Sequence, residues 1–489
     1  MELLKQLIVI DTKSDTPVYL QISNAFIQNI SQGRLRKGVK LPGSRETAAL
    51  LKVNRMTVVA AFDELEAQGW IEMLPRKGTF IKTKLPMLIP GKLLEETGPF
   101  TLPQKTSFAY DEKKIIKIQS ADFPPAGKLI FNDGFPDTRI APIEQLVKNM
   151  RSLFRLPTHK RYLMYGGAQG TRLLRETLSS FLSDTRGLPA GPENILITKG
   201  AQMGLYIASS IILSPGDDVI VGRPGYSFAN LTFLQLGARL NFADVDDEGM
   251  DIDKVDKLCR KKKIKLVYVI PHHHNPTTVT LTPERRIRLL ELAAKYKFAI
   301  IEDDYDYDFH YASKPMMPMA SLDRHGNVIY IGTFTKTLAP AIRFGFIAAP
   351  EDFIRTATYL RKLIDTQGDS LMENAIAEMY KDGTIARHIK KSVKLYKERR
   401  DHLCNLLQTE LGNYTSFRIP DGGMSVWTNF LTTDLAIVSE KAFKKGLIIR
   451  DGKAYDTDKI KYNSVRLGFA SLNFNEQEKA VGILKEVIK

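Results

Sequence analysis

From about residue 128 the chain alternates short β-type runs with helix-like segments, and this alternation restricts the fold more than any other feature. The runs NILIT, DVIVG, KLVYVI, FAIIEDD and NVIYIGTF are strands by residue type, and a turn cluster and a helix-like stretch follow each one. Helices that connect successive strands produce a parallel sheet covered on both faces. The sequence therefore predicts a parallel, doubly wound α/β core.

Composition divides the chain into further zones. Residues 1–83 are rich in helical patterning and end in the β-like GTFIKTK. Residues 84–127 carry scattered prolines and no sustained period, which is typical of a linker. The remainder, 128–489, is predicted to be one α/β domain, and from about residue 350 it turns mostly helical with late strands such as SVRLGFA. That last part predicts a smaller α+β lobe.

The overall composition is that of a globular protein, with 43% hydrophobic and 26% charged residues. No apolar run is long enough to span a bilayer, and the N-terminus lacks the features of a signal peptide. Two cysteines, Cys259 and Cys404, are too few for a disulfide framework. We therefore expect a cytoplasmic protein without a membrane span. The net charge of +15 favours a polyanionic partner but does not identify one.

The first zone shows the pattern of a helix-turn-helix. After a helix that stops at Gly33, a second helix is predicted to open at Ser44, whose hydroxyl caps free N–H groups, and to end near Lys52. Asn54 then caps a third helix, which runs from Arg55 to about Gln68. Two short helices joined by such a turn place the second in the major groove of DNA.

A β-hairpin is predicted after these helices. The segment WIEMLPRKGTFI alternates β-type residues around a turn, with Arg76, Lys77 and Gly78 at its tip. A basic hairpin next to a helix-turn-helix has the form of a wing.

The strings PVYLQI, LPGSRETAALLKVNRMTVVAAFDELEAQGW and KGTFI closely resemble the GntR-type winged helix over about residues 14–83. The resemblance implies that Arg45 and Arg55 bind phosphates or base edges and that Thr57 contacts the DNA backbone. It also implies that the Lys77-Gly78 tip approaches the minor groove. Any one of these arginines also fits an ordinary solvated surface, and only the ordered string favours double-stranded DNA as the partner.

A candidate cofactor lysine lies just past a predicted strand end, in IGTFTKTLAPAIRFGF. Lys336 there can form a Schiff base with an aldehyde cofactor. Thr333, Thr335 and Arg343 around it supply donors for a phosphate. A single lysine after a strand is usually a solvated surface residue, so this assignment depends on its neighbours.

The strand FAIIEDDYD supplies a carboxylate for the same site. Asp303 at its carboxyl end can pair with a protonated pyridine nitrogen, and Tyr305 can reach a phenolic oxygen. Asp304 is the alternative to Asp303. The acid-rich loop also fits a metal site, but the accompanying ligand spacing is missing.

Three further segments carry candidate cofactor contacts. Asn275, after KLVYVI and PHHH, can donate to the phenolic oxygen, and consecutive histidines on an extended segment cannot all reach one ion. In ILITKGAQMGLYIA, the N–H groups of Gly200, Ala201 and Gln202 at a helix start would bind a phosphate. Tyr226 of RPGYSF could stack on the pyridine. We predict no metal.

The order of these motifs, from YGGAQGTRLLR to TFTK and Arg343, resembles the fold-type I aminotransferases over about residues 128–489. That resemblance implies pyridoxal phosphate as cofactor and a homodimer, in which Tyr165 contacts the phosphate held by the neighbouring subunit. It also assigns a ligand carboxylate to Arg466. Thr278 departs from the family, which commonly has Gly there. The segment RDGKAYDTDK shows no clear counterpart of an extra basic effector-binding residue found in some members.

A GntR-type winged helix joined by a linker to an aminotransferase-like domain resembles the MocR family of regulators. This implies a transcription regulator that binds an operator and senses pyridoxal phosphate, an amine or an amino acid through an aldimine at Lys336. The alternative is an active pyridoxal-phosphate-dependent aminotransferase with an accessory DNA-binding domain, and Arg466 keeps it open. A protein that only stores the cofactor is the third possibility, and the complete winged helix argues against it.

Overall fold

The computed structural model describes residues 2–85, 104–117, 128–155, 157, 159–311, 316–457 and 460–489. The chain divides into two compact units, Met1–Tyr110 and Asp111–Lys489. Much of the expected linker, at 86–103 and 118–127, lies outside the described residues. Its described part at 112–117 packs within the second unit, because the Ile116 N–H donates to Gln235 Oε1 at 2.9 Å.

The first unit contains the expected helices and hairpin. Its elements are α1 (Glu2–Leu7), α2 (Val18–Ser31), α3 (Ser44–Leu51), α4 (Arg55–Ala67), β1 (Ile71–Leu74) and β2 (Gly78–Ile81). The strands β1 and β2 pair antiparallel. Ile22 and Phe26 of α2 are fully buried in one core with Val58 and Leu65 of α4 and Ile71 of β1. The prediction of a winged helix-turn-helix is confirmed.

The two helix starts in this unit differ in their capping. Asn54 caps α4 as predicted, because its Oδ1 accepts from the Met56 N–H at 2.8 Å. The predicted cap at Ser44 is wrong: Gly43 is the N-cap of α3 and Ser44 is already the first helical residue. A side chain inside the first turn does not occupy the position from which a cap reaches the free N–H groups.

The second unit is built around a large sheet. Its first elements are β3 (Leu129–Ile130), α5 (Ile143–Arg155), α6 (Arg172–Arg186), β4 (Ile195–Thr198), α7 (Ala201–Ile212), β5 (Asp218–Arg223), α8 (Ser227–Gln235), β6 (Arg239–Asp246), β7 (Gly249–Met250), α9 (Ile252–Lys261), β8 (Ile264–Val269), α10 (Pro283–Tyr296), β9 (Ala299–Asp304), α11 (Met319–Leu322), β10 (Val328–Thr333) and β11 (Gly345–Ala348). The strand order in the sheet is β4-β11-β10-β9-β8-β5-β6-β7.

Both faces of this sheet are covered. Val219 and Val221 of β5 pack into a cluster with α7 and α8, whereas Ile220 between them packs into another cluster with α9 and α10. The prediction of a doubly wound α/β core is therefore confirmed. The sheet is nevertheless mixed, because β11 runs antiparallel to both β10 and β4. The connection between β10 and β11 carries no helix, and a parallel neighbour needs a longer crossover.

The chain ends in the predicted smaller α+β lobe. Its elements are α12 (Glu351–Asp365), α13 (Ser370–Lys381), α14 (Thr384–Leu411), β12 (Thr415–Phe417), β13 (Ser425–Phe430), α15 (Leu435–Lys444), β14 (Leu447–Ile448), β15 (Ser464–Gly468) and α16 (Phe474–Ile488). The strands β12, β13 and β15 form an antiparallel sheet. The short β14 pairs in parallel with β3, so Phe131 joins the core of this lobe.

Five 3-10 helices complete the described structure, at Glu112–Lys114, Thr138–Ile140, His159–Leu163, Pro192–Asn194 and Lys453–Tyr455. Within the described ranges, no helix has the length and apolar character needed to cross a bilayer.

Candidate functional sites

A cavity of about 240 Å³ opens where the parallel strands of the second unit end. Open α/β sheets bind their ligands at this edge. The cavity wall brings together most of the residues predicted from the sequence: Ala201, Gln202, Tyr226, Asn275, Asp303, Tyr305, Thr333, Thr335, Lys336 and Arg343. Residues far apart in the chain thus meet at one edge of one sheet.

Lys336 lies in this cavity just beyond β10. Its Nζ donates to the Gly134 carbonyl at 2.6 Å and lies 4.9 Å from the centre of the Phe135 ring. Burial, together with the positive charge of Arg466, lowers the pKa of Lys336 to about 8. A lysine with such a pKa is a neutral nucleophile more often than a surface lysine at the same pH.

Asp303 and Asp304 of β9 point to opposite faces of the sheet, because successive side chains along a strand alternate in direction. Asp303 borders the cavity, and its Oδ2 accepts from Tyr268 Oη at 2.7 Å, while its buried Oδ1 has no hydrogen-bond partner among the described residues. Asp304 Oδ2 instead accepts from Tyr330 Oη at 2.8 Å. Burial raises the pKa of Asp303 to about 7. Of the two candidate carboxylates, Asp303 therefore faces the cavity.

A group of donors borders the cavity near the start of α7. Gly200 has a φ of +79°, and a Cβ there would lie 2.7 Å from Arg343 Nη2, so glycine lets the guanidinium approach closely. The hydroxyls of Thr333 and Thr335 are 3.0 Å apart.

The prediction for Gly200 as a donor needs correction. Its N–H already donates to the Thr198 carbonyl at 3.0 Å, because the backbone turns sharply before the helix. Ala201 and Gln202 begin α7, and the first N–H groups of a helix have no intrahelical acceptor. These two residues border the cavity.

Arg466 does not belong to the cavity wall formed by the described residues. Its side chain is 1% exposed, and its Nη1 donates to Tyr305 Oη at 3.3 Å. Tyr305 Oη in turn donates to the His273 carbonyl at 3.0 Å. Arg466 therefore contacts the site through Tyr305, and its Nε has no hydrogen-bond partner within the described ranges.

Tyr165 is also placed apart from this cavity, with 86% of its surface exposed. A contact between Tyr165 and the site of a neighbouring subunit remains a prediction.

The three consecutive histidines face three different partners. His272 Nε2 lies 2.7 Å from the Met316 carbonyl, His273 Nδ1 lies 2.9 Å from Asp306, and His274 Nδ1 lies 2.8 Å from Thr277. These contacts hold the segment that leads to Asn275.

Eight residues of the cavity wall were missed from the sequence: Asp133, Phe135, Leu205, Ser227, Phe228, Ile270, Arg450 and Tyr455. Asp133 and Arg450 form an ion pair with an N–O distance of 2.9 Å, and Phe135 and Tyr455 lie beside them. Arg450 comes from RDGKAYDTDK, where no extra basic effector residue was recognised. The sequence gives little indication that Asp133 and Arg450 lie together, because the strands that precede them, β3 and β14, have only two residues each.

The residues of the cavity fit pyridoxal phosphate. The unpartnered Asp303 Oδ1 offers an acceptor for a pyridinium N–H, and the donors around Arg343 suit a dianionic phosphate. Lys336 supplies an amine for an aldehyde.

The predicted DNA-contacting residues lie on the first unit. Arg45 and Arg55 are exposed, on α3 and at the first position of α4, and Thr57 is half-buried two residues further along α4. Lys77 and Gly78 are exposed at the tip of the hairpin. A Cβ at Gly78, which has a φ of +108°, would lie 2.7 Å from Lys40 Cε. Lys40, which was not singled out from the sequence, thus lies against the wing.

Two protein families match separate parts of the chain. Residues 18–81 match the family described as bacterial regulatory proteins, gntR family. Residues 128–484 match the family described as aminotransferase class I and II.

Individual relatives reflect the same two parts. The uncharacterized HTH-type transcriptional regulator YisV of Bacillus subtilis is 27% identical over 98% of this chain and 97% of its own length. The probable rhizopine catabolism regulatory protein MocR of Rhizobium meliloti is 27% identical over 87% of this chain and 84% of its own. A Pyrococcus horikoshii kynurenine aminotransferase, solved in complex with PMP, is 29% identical with a TM-score of 0.69, covering 74% of this chain and 91% of its own.

Proposed function

The chain belongs to the class I and II aminotransferase family and carries a gntR-family domain ahead of it, and from this arrangement we propose that it is a MocR-type transcription regulator. The winged helix binds a double-stranded operator, and the second unit binds pyridoxal phosphate at Lys336. The observation that carries the proposal is the presence in one chain of a complete winged helix and of a cavity that joins Lys336, Asp303 and Arg343.

Each cavity group has a defined task in this proposal. Arg343, Thr333 and Thr335, with the N–H groups at the start of α7, hold the phosphate. Asp303 accepts the pyridine N–H, and Tyr226 packs on the ring. When bound, pyridoxal phosphate supplies an aldehyde that condenses with amines and a ring that withdraws electrons. Lys336 holds the cofactor through its amine.

The regulatory output follows from linkage between two sites. A ligand in the cavity changes operator affinity only by the difference in its affinity for the two states of the protein. Pyridoxal phosphate itself or a small amine or amino acid is the effector. The protein acts as a homodimer, so that two winged helices meet two half-sites and Tyr165 reaches the partner's cavity.

Arg55 tests the DNA half of the proposal. Footprinting on the DNA upstream of the protein's own gene defines the operator, and Arg55→Ala should lower operator affinity by about tenfold or more at fixed salt. Arg239→Ala is the matched control, since it removes the same charge from an exposed position on β6. Equal operator affinity of wild type and Arg55→Ala would contradict the assignment of α4.

An active aminotransferase is the second candidate function. The contact between Arg466 and Tyr305 favours it, because it places a buried guanidinium next to the cofactor residues. Turnover of an amino acid with a 2-oxo acid on the order of 1 per second would support an enzyme. Absence of turnover together with ligand-dependent DNA binding would support the regulator.

A further inference from the structure

The Asp133–Arg450 ion pair borders the cavity but has no task in holding the cofactor. We propose that this pair selects the effector and that Asp133 binds a second ammonium group on it. The effector is then a small molecule with two amino groups, such as a diamino acid. The inference rests on the proposed function, since it requires an amine effector in this cavity.

The fold places the two residues side by side. β3 and β14 run parallel, with Leu129 opposite Leu447 and Ile130 opposite Ile448. Their carboxyl ends therefore meet at one edge. Asp133 lies three residues after the end of β3, and Arg450 lies two residues after the end of β14. The pairing of two short strands from distant parts of the chain thus builds the ion pair.

The backbone around Asp133 is fixed by its neighbours. Asn132 Oδ1 accepts from the N–H groups of Gly134 and Phe135 at 3.0 and 2.7 Å. The Asn132 carbonyl accepts from the Gly468 N–H at 2.8 Å. Asp133 Oδ2 contacts Arg450, and the Tyr455 hydroxyl also faces this carboxylate, but the buried Oδ1 accepts no hydrogen bond within the part of the chain that the structure describes. A buried acceptor held in this way calls for a donor from a ligand.

Arg450 is the more adaptable member of the pair. Its side chain is 46% exposed, against 19% for Asp133, so the guanidinium can turn to solvent and stay hydrated. An ammonium group can donate to Asp133 Oδ1 without breaking the ion pair. A ligand carboxylate that took Arg450 would instead leave the Asp133 carboxylate without its cation. The asymmetry of burial therefore favours a cationic ligand group.

The position of Asp133 relative to Lys336 supports the same conclusion. Lys336 Nζ donates to the carbonyl of Gly134, the residue after Asp133. The negative charge of Asp133 also acts on Lys336, where it works against the burial that lowers the pKa. An amine that enters beside Lys336 therefore comes within reach of the Asp133 carboxylate.

Three five-carbon amino acids test the inference on the cofactor-loaded, full-length protein by calorimetric titration. Ornithine, norvaline and glutamate differ only in their terminal group, which is cationic, apolar or anionic. We expect ornithine to bind about tenfold or more tightly than norvaline, and glutamate to bind less tightly than norvaline.

Two variants assign the preference to the pair. Asp133→Asn, which keeps the size of the side chain, should bring ornithine to the level of norvaline. Arg450→Gln should retain the ornithine preference, because it leaves Asp133 in place. Far-ultraviolet circular dichroism and the cofactor absorbance band check that each variant is folded and loaded. If Asp133→Asn does not fold, the order of the three affinities in wild type and in Arg450→Gln decides whether the cavity prefers a second ammonium group.

The outcomes separate this inference from the proposed function. A glutamate preference, equal binding of the three, no binding of any of them, or an ornithine preference that survives in Asp133→Asn would overturn the inference alone. A wild-type protein that forms no Lys336-dependent cofactor band would overturn the proposed function.

Discussion

Tyr268 Oη donates a 2.7 Å hydrogen bond to Asp303 Oδ2, and this bond orients the one carboxylate of β9 that borders the cavity. Burial raises the pKa of Asp303 to about 7, and the bond from Tyr268 acts in the opposite direction. The bond from Tyr268 therefore favours the charged form of Asp303, which is the form that pairs with a pyridinium.

We predict that Tyr268→Phe weakens binding of pyridoxal phosphate about tenfold near pH 7. A hydrogen bond to a charged group contributes about 1.5–3 kcal/mol, and about 1.4 kcal/mol corresponds to a tenfold change in affinity. A fluorescence or absorbance titration measures the dissociation constant. Tyr330→Phe is the control, because it removes the same hydroxyl from Asp304, outside the cavity. Equal losses of cofactor affinity in the two variants would show that the hydrogen bond to Asp303 has no specific role in cofactor binding.

The pKa of Lys336 leads to a pH prediction. Its value of about 8 lies below that of a free lysine, so Lys336 is protonated below pH 8 and a neutral nucleophile above it. The rate of pyridoxal phosphate attachment to the cofactor-free protein should rise up to about pH 8 and then level off. Stopped-flow absorbance follows this rate, and Lys336→Ala should lack the phase. A rate that climbs steadily to pH 10 would be the behaviour of a solvated lysine.

The end of α10 offers a stability prediction independent of function. Lys297 is exposed and has a φ of 58°, a conformation that favours glycine at the end of a helix. Lys297→Gly should raise the free energy of unfolding by about 1 kcal/mol in denaturant titrations. Lys295→Gly, inside the last turn of the same helix, should lower it by about 1 kcal/mol. The same sign for both variants would contradict the backbone argument.

The sequence predicts the parts of this protein that depend on local pattern. The strands ending near Asp303 and Thr333 are short apolar runs, and the carboxyl ends of parallel strands meet at one edge, so their side chains could be expected together. The winged helix also depends on local sequence pattern. Asn54 could be assigned as an N-cap because it directly precedes the first residue of a predicted helix.

The remaining features depend on pairing across long distances. Asp133 and Arg450 follow strands of two residues each, which leave no periodicity to detect. β11 runs antiparallel to its neighbours because the connection that precedes it contains no helix. The sequence around Lys336 does not show that this connection lacks a helix. Thr278 has a φ of 63°, a left-handed conformation that glycine adopts easily. This explains why the family that the sequence resembles commonly has glycine at this position. The conformation of Thr278 itself could not be predicted from the sequence.

The dependence of operator affinity on the cofactor tests the central claim most directly. Operator dissociation constants are measured at fixed salt, with and without pyridoxal phosphate, for wild type, Lys336→Ala and Lys336→Arg. Arginine keeps the positive charge but cannot hold the aldehyde. We predict that pyridoxal phosphate changes wild-type affinity about fivefold or more and leaves both variants unchanged. An unchanged wild-type affinity, or a full response in either variant, would contradict sensing through Lys336.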